Sequence, residues 1–302
     1  MRFSPTRPAA STVSKRSKSR LQALTVQRGV VILPGLGNEA QDYASLATAL
    51  LDANSPEISA VTIADVSRVD WLRNAAGLID PNYWKGTLNP RPTVDWYLSK
   101  VDVAIQTIKA DISSRNPDDI TDIKVTLLAH SAGGWLGRLY MKDFGAASKG
   151  IDTFLSLGSP HRPPPPGVVD QTRGILTWME ANCPGCYEQD VEYITVSGRY
   201  LRGAGFNEKN TSIARRLVGL GYQQVSGDQG DWGDAITPET SSHLPGARQI
   251  IIPGAYHSPL GDDGVERLWY GSPRFLSAWA PALIPSTTPP STSSTVPLSR
   301  RD

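Results

Sequence analysis

The sequence predicts an α/β domain, with helices on both faces of a mostly parallel sheet and an aromatic-rich cap insertion. Short runs of β-branched and apolar residues alternate along the chain with longer segments of helical spacing, which is the pattern of successive strand–helix–strand units. Of the 302 residues, 39% are hydrophobic and 20% are charged. Such a composition supports a large core and excludes collagen, a coiled coil and a wholly disordered chain.

The first predicted strand, Val30 to Leu33, is stopped by the turn residues 34–37. Helical spacing follows over 40–51, and a second strand covers 58–66. The clearest helix runs from Val94 to Ile112, where apolar residues recur every three or four positions. The remaining predicted elements are strands over 124–128, 151–157, 193–196 and 249–252, and helices over 133–144 and 275–283.

Two long stretches interrupt this alternation. The first contains Trp71, Trp84 and Trp96 among prolines and glycines, and we predict that residues 67–97 form a cap or lid. The second, 198–233, is polar and includes a short helical segment beginning at residue 213. Long excursions in compact domains are usually functional lids or disordered, and the aromatic content argues against disorder in the first.

The charge is unevenly distributed. The first 28 residues carry seven basic residues and no acidic one, so a net charge of +1 for the whole chain leaves −6 on the other 274 residues. A mildly acidic body argues against nucleic acid as the main partner. The chain has no run of about 18 apolar residues, so no transmembrane segment is predicted.

Both ends are expected to lie outside the folded domain. Residues 1–27 are rich in serine and arginine and lack acidic residues, which is typical of an organelle transit peptide. We expect a chloroplast location, with the mitochondrion as the alternative. Residues 285–302 are mostly Ser, Thr and Pro, and we predict a disordered tail. One domain over 28–284 remains.

A serine at a sharp turn is the strongest chemical signal. The strand ending at Leu128 continues through Ala129 and His130 into Ser131, and a helix follows. Small residues two before and two after the serine allow strand and helix to approach closely, while the serine hydroxyl is exposed in a strained conformation. Ala129 stands where glycine is commoner.

Over residues 29–283 the chain resembles the α/β-hydrolase superfamily, in its serine esterase and lipase branch. The resemblance lies in the motif around Ser131, in the loop 34–38 and in the segment 157–161. Within the superfamily, the chain is most similar to plastid α/β-hydrolase proteins of plants and algae and to inositol-deacylase-like hydrolases. The resemblance implies a Ser, acid, His order for the catalytic triad. It also implies an oxyanion hole, which we assign to the backbone amides of Leu36 and Ala132.

The order implied by this resemblance selects the base from four histidines. His257 follows the last strand and precedes the closing helix, where the superfamily places its base; His243 is the alternative. His130 adjoins the serine on the strand and is expected to be a packing residue. His161 precedes any acid in the implied order.

The acid is expected between the strand at 193 and His257. The segment from Gly233 to Pro238 resembles the Asp-Gly-x-Val-Pro segment that carries the lipase acid, which selects Asp234. Ala235 replaces the usual glycine. Asp231 and Asp228 remain alternatives.

These residues predict a serine hydrolase that cleaves carboxylic esters through an acyl-enzyme, and we expect its substrates to be acyl lipids. An acyltransferase with the same triad, or a non-catalytic binding protein on this scaffold, is the alternative. The predicted partner is then a small-molecule or lipid ester, with transient contact with a membrane surface as a further hypothesis. We predict no cofactor and no metal, since neither a metal pattern, a dinucleotide fingerprint nor a P-loop is present.

The only two cysteines are Cys183 and Cys186. A disulfide would close too short a loop to add much stability, and zinc would need two further ligands. Two free thiols and a reversible redox pair are the two hypotheses for them.

Overall fold

A six-stranded parallel sheet forms the centre of the molecule in the computed structural model, which describes residues 25–52, 57–115 and 121–285. The strands are β1 Thr25–Leu33, β2 Ile58–Ile63, β3 Thr121–His130, β4 Ile151–Leu157, β5 Glu192–Arg199 and β8 Arg248–Pro253, and a small hairpin pairs β6 Leu201–Arg202 with β7 Trp232–Gly233. The predicted transit peptide and tail lie outside the described residues, except for 25–27 and 285.

Nine α-helices occur within the described residues. They are α1 Ala44–Asp52, α2 Pro81–Lys85, α3 Asp95–Arg115, α4 Ala132–Phe144, α5 Ala146–Lys149, α6 Ile175–Asn182, α7 Ile213–Ser226, α8 Glu239–Ser242 and α9 Pro273–Trp279. Short 3-10 helices cover Ala40–Tyr43, Arg68–Ile79 and Ala280–Leu283. In this part of the chain no helix is long and apolar enough to cross a membrane.

The strand order β2-β1-β3-β4-β5-β8 places the first strand inside the sheet. From β1 the chain moves outward to β2, returns through α3 to β3, and then continues outward in the other direction. The loops after β1 and β3 therefore both begin at the carboxyl ends of these neighbouring strands but run to opposite faces of the sheet. Parallel α/β sheets bind ligands in the crevice that two such diverging loops form.

Helices cover both faces of the sheet, as predicted. One core contains Leu98 and Ile105 of α3 and Leu136 of α4, while the other contains Leu46 of α1 and Trp279 of α9. Adjacent strand residues divide between these cores, since Val31 belongs to the first and Ile32 to the second. The continuous apolar runs of the sequence are thus a consequence of burial on both sides.

The strands and long helices agree with the predicted elements to within a few residues at their ends. The sequence pattern did not predict α2, α6, α8 or the β6–β7 hairpin, because each is too short to show a period. The segment predicted as a cap folds as a 3-10 helix over Arg68–Ile79, followed by α2. Its function as a lid stays a prediction.

Candidate active site

Ser131 lies at the turn between β3 and α4, with φ 51° and ψ −126°. A positive φ is unfavourable for a residue with a side chain and is stored strain where it occurs. Two glycines make the turn possible: a Cβ at position 35 would lie 2.7 Å from the Cβ of Ser131, and one at position 133 would lie 2.5 Å from the Leu33 carbonyl oxygen. Ser131 occupies the N-cap position of α4, but its side chain makes no capping hydrogen bond.

The hydroxyl of Ser131 points to His257 instead. Its Oγ lies 3.0 Å from Nε2 of His257, whose Nδ1 lies 2.7 Å from Oδ2 of Asp234. The carboxylate can only accept, so Nδ1 carries the proton and Nε2 is left to accept from the serine. The structure therefore brings together the three residues that the sequence analysis selected, in one hydrogen-bonded chain.

Asp234 is completely buried, and its carboxylate accepts four hydrogen bonds. Its Oδ1 accepts from the backbone amides of Ile236 (3.0 Å) and Thr237 (2.7 Å), and its Oδ2 accepts from His257 and from the hydroxyl of Tyr270 (2.7 Å). A buried carboxylate is tolerated only when its oxygens are satisfied in this way. The adjacent Ala235 has φ 83°, so alanine here holds the conformation that glycine would favour.

Tyr270 is a site residue that the sequence analysis missed. Besides donating to Asp234, its hydroxyl accepts a 2.7 Å hydrogen bond from the Gly198 amide at the end of β5. Burial and the Asp234 charge raise the pKa of Tyr270 well above its usual value, so the hydroxyl keeps its proton. No sequence pattern marks this tyrosine, because its partner lies 36 residues away.

His130 does more than the packing role predicted for it. Its Nε2 lies 2.8 Å from the backbone carbonyl of His257, and its Nδ1 lies 2.7 Å from the hydroxyl of Tyr43, which in turn accepts a hydrogen bond from the amide of Gly35. His130 thereby connects the loop after β1 to the histidine of the site. His130 is buried and packs against Tyr43 and Trp269, as predicted, but strand alternation could not predict its hydrogen-bond partners.

The alternative residues have other partners. His243 lies 3.4 Å from the hydroxyl of Ser197, and Asp231 accepts a hydrogen bond from Thr240. Asp228 accepts one from the Gly230 amide. His161 is fully buried, and its Nε2 lies 2.8 Å from the hydroxyl of Ser156.

A cavity of about 790 Å³ opens beside Ser131. Leu36 and Ala132, whose amides we assigned to the oxyanion hole, both line it. Apolar side chains form most of the wall, and they come from the segment 71–94, from α4, from α6 and from α7; they include Trp71, Leu78, Tyr83, Leu88, Trp135, Ile175, Leu217, Val218 and Val225. An apolar chain attached to a group at Ser131 would fit this space.

Of the tryptophans in the predicted cap, Trp71 lines the cavity, and its indole nitrogen donates to the Asn38 carbonyl oxygen (2.8 Å). Trp96 packs edge-on against Trp71, with their ring centres 5.2 Å apart. Trp84 is 70% exposed. The segment is therefore held to the loop after β1, next to Ser131.

Cys183 and Cys186 are free thiols. Burial raises the pKa of both, to about 11 for Cys186, so little thiolate forms at neutral pH. A redox role for the pair stays a prediction. Among the described residues, no group of three or more His, Cys, Asp or Glu side chains is arranged to hold a metal ion.

No protein-family model and no curated protein sequence matches this chain. Solved structures do resemble it. A mature lipase from Bacillus licheniformis is 14% identical with a TM-score of 0.44, over 76% of this chain and 85% of that one. A gene product from Listeria innocua is 15% identical with a TM-score of 0.46 (83% and 91% covered). A metagenomic carboxyl esterase is 12% identical, also with a TM-score of 0.46 (88% and 79% covered). At such identities and TM-scores these likenesses assign no activity to the chain.

The buried ring of His130 predicts that acid destabilises the fold. Burial and the nearby His257 lower its pKa from 6.5 to about 3, so between these values the unfolded chain binds a proton that the folded protein does not. The free energy of unfolding should therefore fall as the pH drops below about 6.5, by ~1.4 kcal/mol per pH unit for one such histidine. Urea denaturation at pH 7, 6 and 5 measures this.

The variant His130→Gln cannot bind this proton, so its free energy of unfolding should depend less steeply on pH than that of the wild type. Equal slopes for the two proteins would contradict the burial of a neutral His130.

Proposed function

We propose that this chain is a serine hydrolase of the α/β-hydrolase type that cleaves carboxylic esters with an apolar acyl chain. The hydrogen-bonded chain from Ser131 through His257 to Asp234, open to an apolar cavity, carries this proposal. Three residues of the required types, at 3.0 Å and 2.7 Å, match the geometry by which an activated serine is recognised.

In the first half of the reaction, Ser131 Oγ attacks the ester carbonyl carbon and its proton passes to His257 Nε2. The bond from that carbon to the alcohol oxygen then breaks, and His257 returns the proton to the departing alcohol. In the second half, water attacks the acyl-enzyme, again giving its proton to His257, and the serine leaves with that proton. Asp234 accepts the hydrogen bond from Nδ1 of His257 and stabilises the imidazolium.

The amides of Leu36 and Ala132 are proposed to bind the oxyanion of both tetrahedral intermediates. Support comes from their position in the cavity wall beside Ser131, and from the Tyr43 and His130 hydrogen bonds that fix the preceding residue, Gly35. One such donor contributes about 3 kcal/mol to transition-state stabilisation in enzymes where it has been removed.

The central prediction concerns Ser131→Ala. This change should lower kcat toward short acyl esters by on the order of 10⁶, because the members of a triad act as a unit. Hydrolysis of p-nitrophenyl butyrate by the full chain measures it, with Ser114→Ala, an exposed serine of α3, as the control of unchanged rate. A loss below about tenfold would contradict the proposal. Added alcohol that appears in an ester product would indicate an acyltransferase.

We also propose transient contact with a lipid surface through an apolar rim, defined as Leu36, Leu78, Leu217 and Ile236. Each of these side chains lines the cavity, and each is between 44% and 63% exposed. Several apolar side chains exposed together around a cavity mouth are unusual for a surface that only meets water. Burying them in lipid would bring the mouth of the cavity to the acyl chains.

The double variant Leu78→Ser/Leu217→Ser should bind neutral phosphatidylcholine vesicles at least about tenfold more weakly, since each leucine loses more than 1 kcal/mol of apolar burial. The matched control is Val26→Ser/Val103→Ser, which alters two exposed valines of β1 and α3 outside the cavity wall. Vesicle flotation compares the two. Equal binding of both double variants would exclude the rim as the contact.

A further inference from the structure

One charged side chain, Arg173, stands among the apolar residues of the cavity wall. Within the described residues that line the cavity, none other carries a formal charge. Arg173 is partly exposed, so its guanidinium keeps some contact with water, but the residues that line the cavity offer it no opposite charge. An anion that enters the cavity with a ligand would meet this charge directly.

Within the described parts of the chain, Arg173 has an aromatic ring beside it but no carboxylate in an ion pair. The guanidinium lies 4.9 Å from the ring centre of Tyr83, which also lines the cavity. Arg173 takes part in none of the ion pairs formed among the described residues. Stacking on a ring leaves the N–H edge of a guanidinium free to donate, and that edge suits two oxygens of a carboxylate or phosphate.

The nearest acidic residue in the sequence, Asp170, is occupied by the backbone. Its carboxylate accepts hydrogen bonds from the Thr172 amide and hydroxyl (both 2.7 Å) and from the Gly174 amide (3.1 Å). These bonds hold the turn in which Arg173 lies. They leave the carboxylate engaged in stabilising the turn rather than in pairing with the arginine.

The backbone of Arg173 is held in an unfavourable conformation. Its φ is 60°, and φ of the following Gly174 is 110°. The Arg173 carbonyl accepts a 2.8 Å hydrogen bond from the Leu88 amide, and a Cβ on residue 174 would clash with the backbone of Gly86. A backbone conformation of this kind persists only where the surrounding structure fixes it, and such positions cluster at ligand sites.

From these observations we infer that the esters cleaved at Ser131 carry an anionic group, a carboxylate or a phosphate, which Arg173 binds. The inference rests on the proposed ester hydrolysis and specifies its substrate class. The substrate then has three parts: the ester at Ser131, an apolar portion along the wall formed by Trp71 and Leu88, and the anion at Arg173. Arg173 is a specificity-determining residue and takes no part in bond making or breaking.

Matched esters test this. p-Nitrophenyl octanoate and the p-nitrophenyl monoester of suberic acid share chain length and leaving group, but the second ends in a carboxylate. Arg173→Gln should lower the ratio of kcat/KM for the suberate ester to kcat/KM for the octanoate ester about tenfold or more, as expected for the loss of hydrogen bonds to a charged group. Arg173→Lys should recover part of the loss, because it keeps the charge.

The control variant is Arg274→Gln. Arg274 also stacks on an aromatic ring, Phe275, with its guanidinium carbon 5.8 Å from the ring centre, but it belongs to α9 on the other face of the sheet from α3, α4 and α6. Its removal should change neither ester. If Arg173→Gln slows the hydrolysis of both esters equally, or of neither, then Arg173 does not bind an anionic group of the substrate. Cleavage of the octanoate ester by the wild type would still support the proposed function in that case.

Inhibition separates the two kinds of anion. Octanoate, octyl phosphate and octanol are compared as inhibitors of p-nitrophenyl octanoate hydrolysis by the wild type and by Arg173→Lys and Arg173→Gln. At least one of the two anions should bind the wild type about tenfold more tightly than octanol, and this preference should be lost in Arg173→Gln, because an anion bound only by the oxyanion-hole amides would not depend on Arg173. Equal inhibition by all three would overturn the inference. If the wild type cleaves no ester at all, the proposed function fails with it.

Discussion

The backbone turn at Ser131 is the constraint on which the site depends. A residue with a side chain must hold φ 51° between a buried strand and a buried helix, and it can do so only because Gly35 and Gly133 leave room for the chain to pass. The strain is offset by burial of β3 and α4 in the cores on both sides of the sheet. The packing of these two elements thus holds the Ser131 hydroxyl in a conformation that would otherwise be unfavourable.

A second constraint is the buried carboxylate of Asp234. Four donors reach it from three parts of the chain: the turn 236–237, His257 after β8, and Tyr270. Removing any one donor leaves a buried acceptor less satisfied, which costs about 1–3 kcal/mol. His130, which is hydrogen-bonded to Tyr43, also contacts the backbone carbonyl of His257. His257 is therefore fixed through its ring by Asp234 and through its backbone by His130.

Much of this could be predicted from the sequence, since the signals are local. The apolar runs predicted the strands, and the small residues around Ser131 predicted the turn. The resemblance supplied the order that singles out Asp234 and His257. Tyr270, the bridging function of His130 and the position of Arg173 could not be predicted, because each depends on a contact between residues far apart in the chain. The turn 170–174 is defined by Asp170 hydrogen bonds and by packing on residues 86–88, which no periodicity records.

The most direct test of an activated Ser131 is its reaction with a fluorophosphonate probe on the full chain, mapped by peptide mass. We expect one adduct, on Ser131, formed quickly in the wild type and far more slowly in His257→Ala, because the imidazole takes the serine proton. Circular dichroism confirms that both proteins are folded. A folded wild type that forms no adduct, or forms it on another serine, would contradict the assignment of Ser131 as the nucleophile.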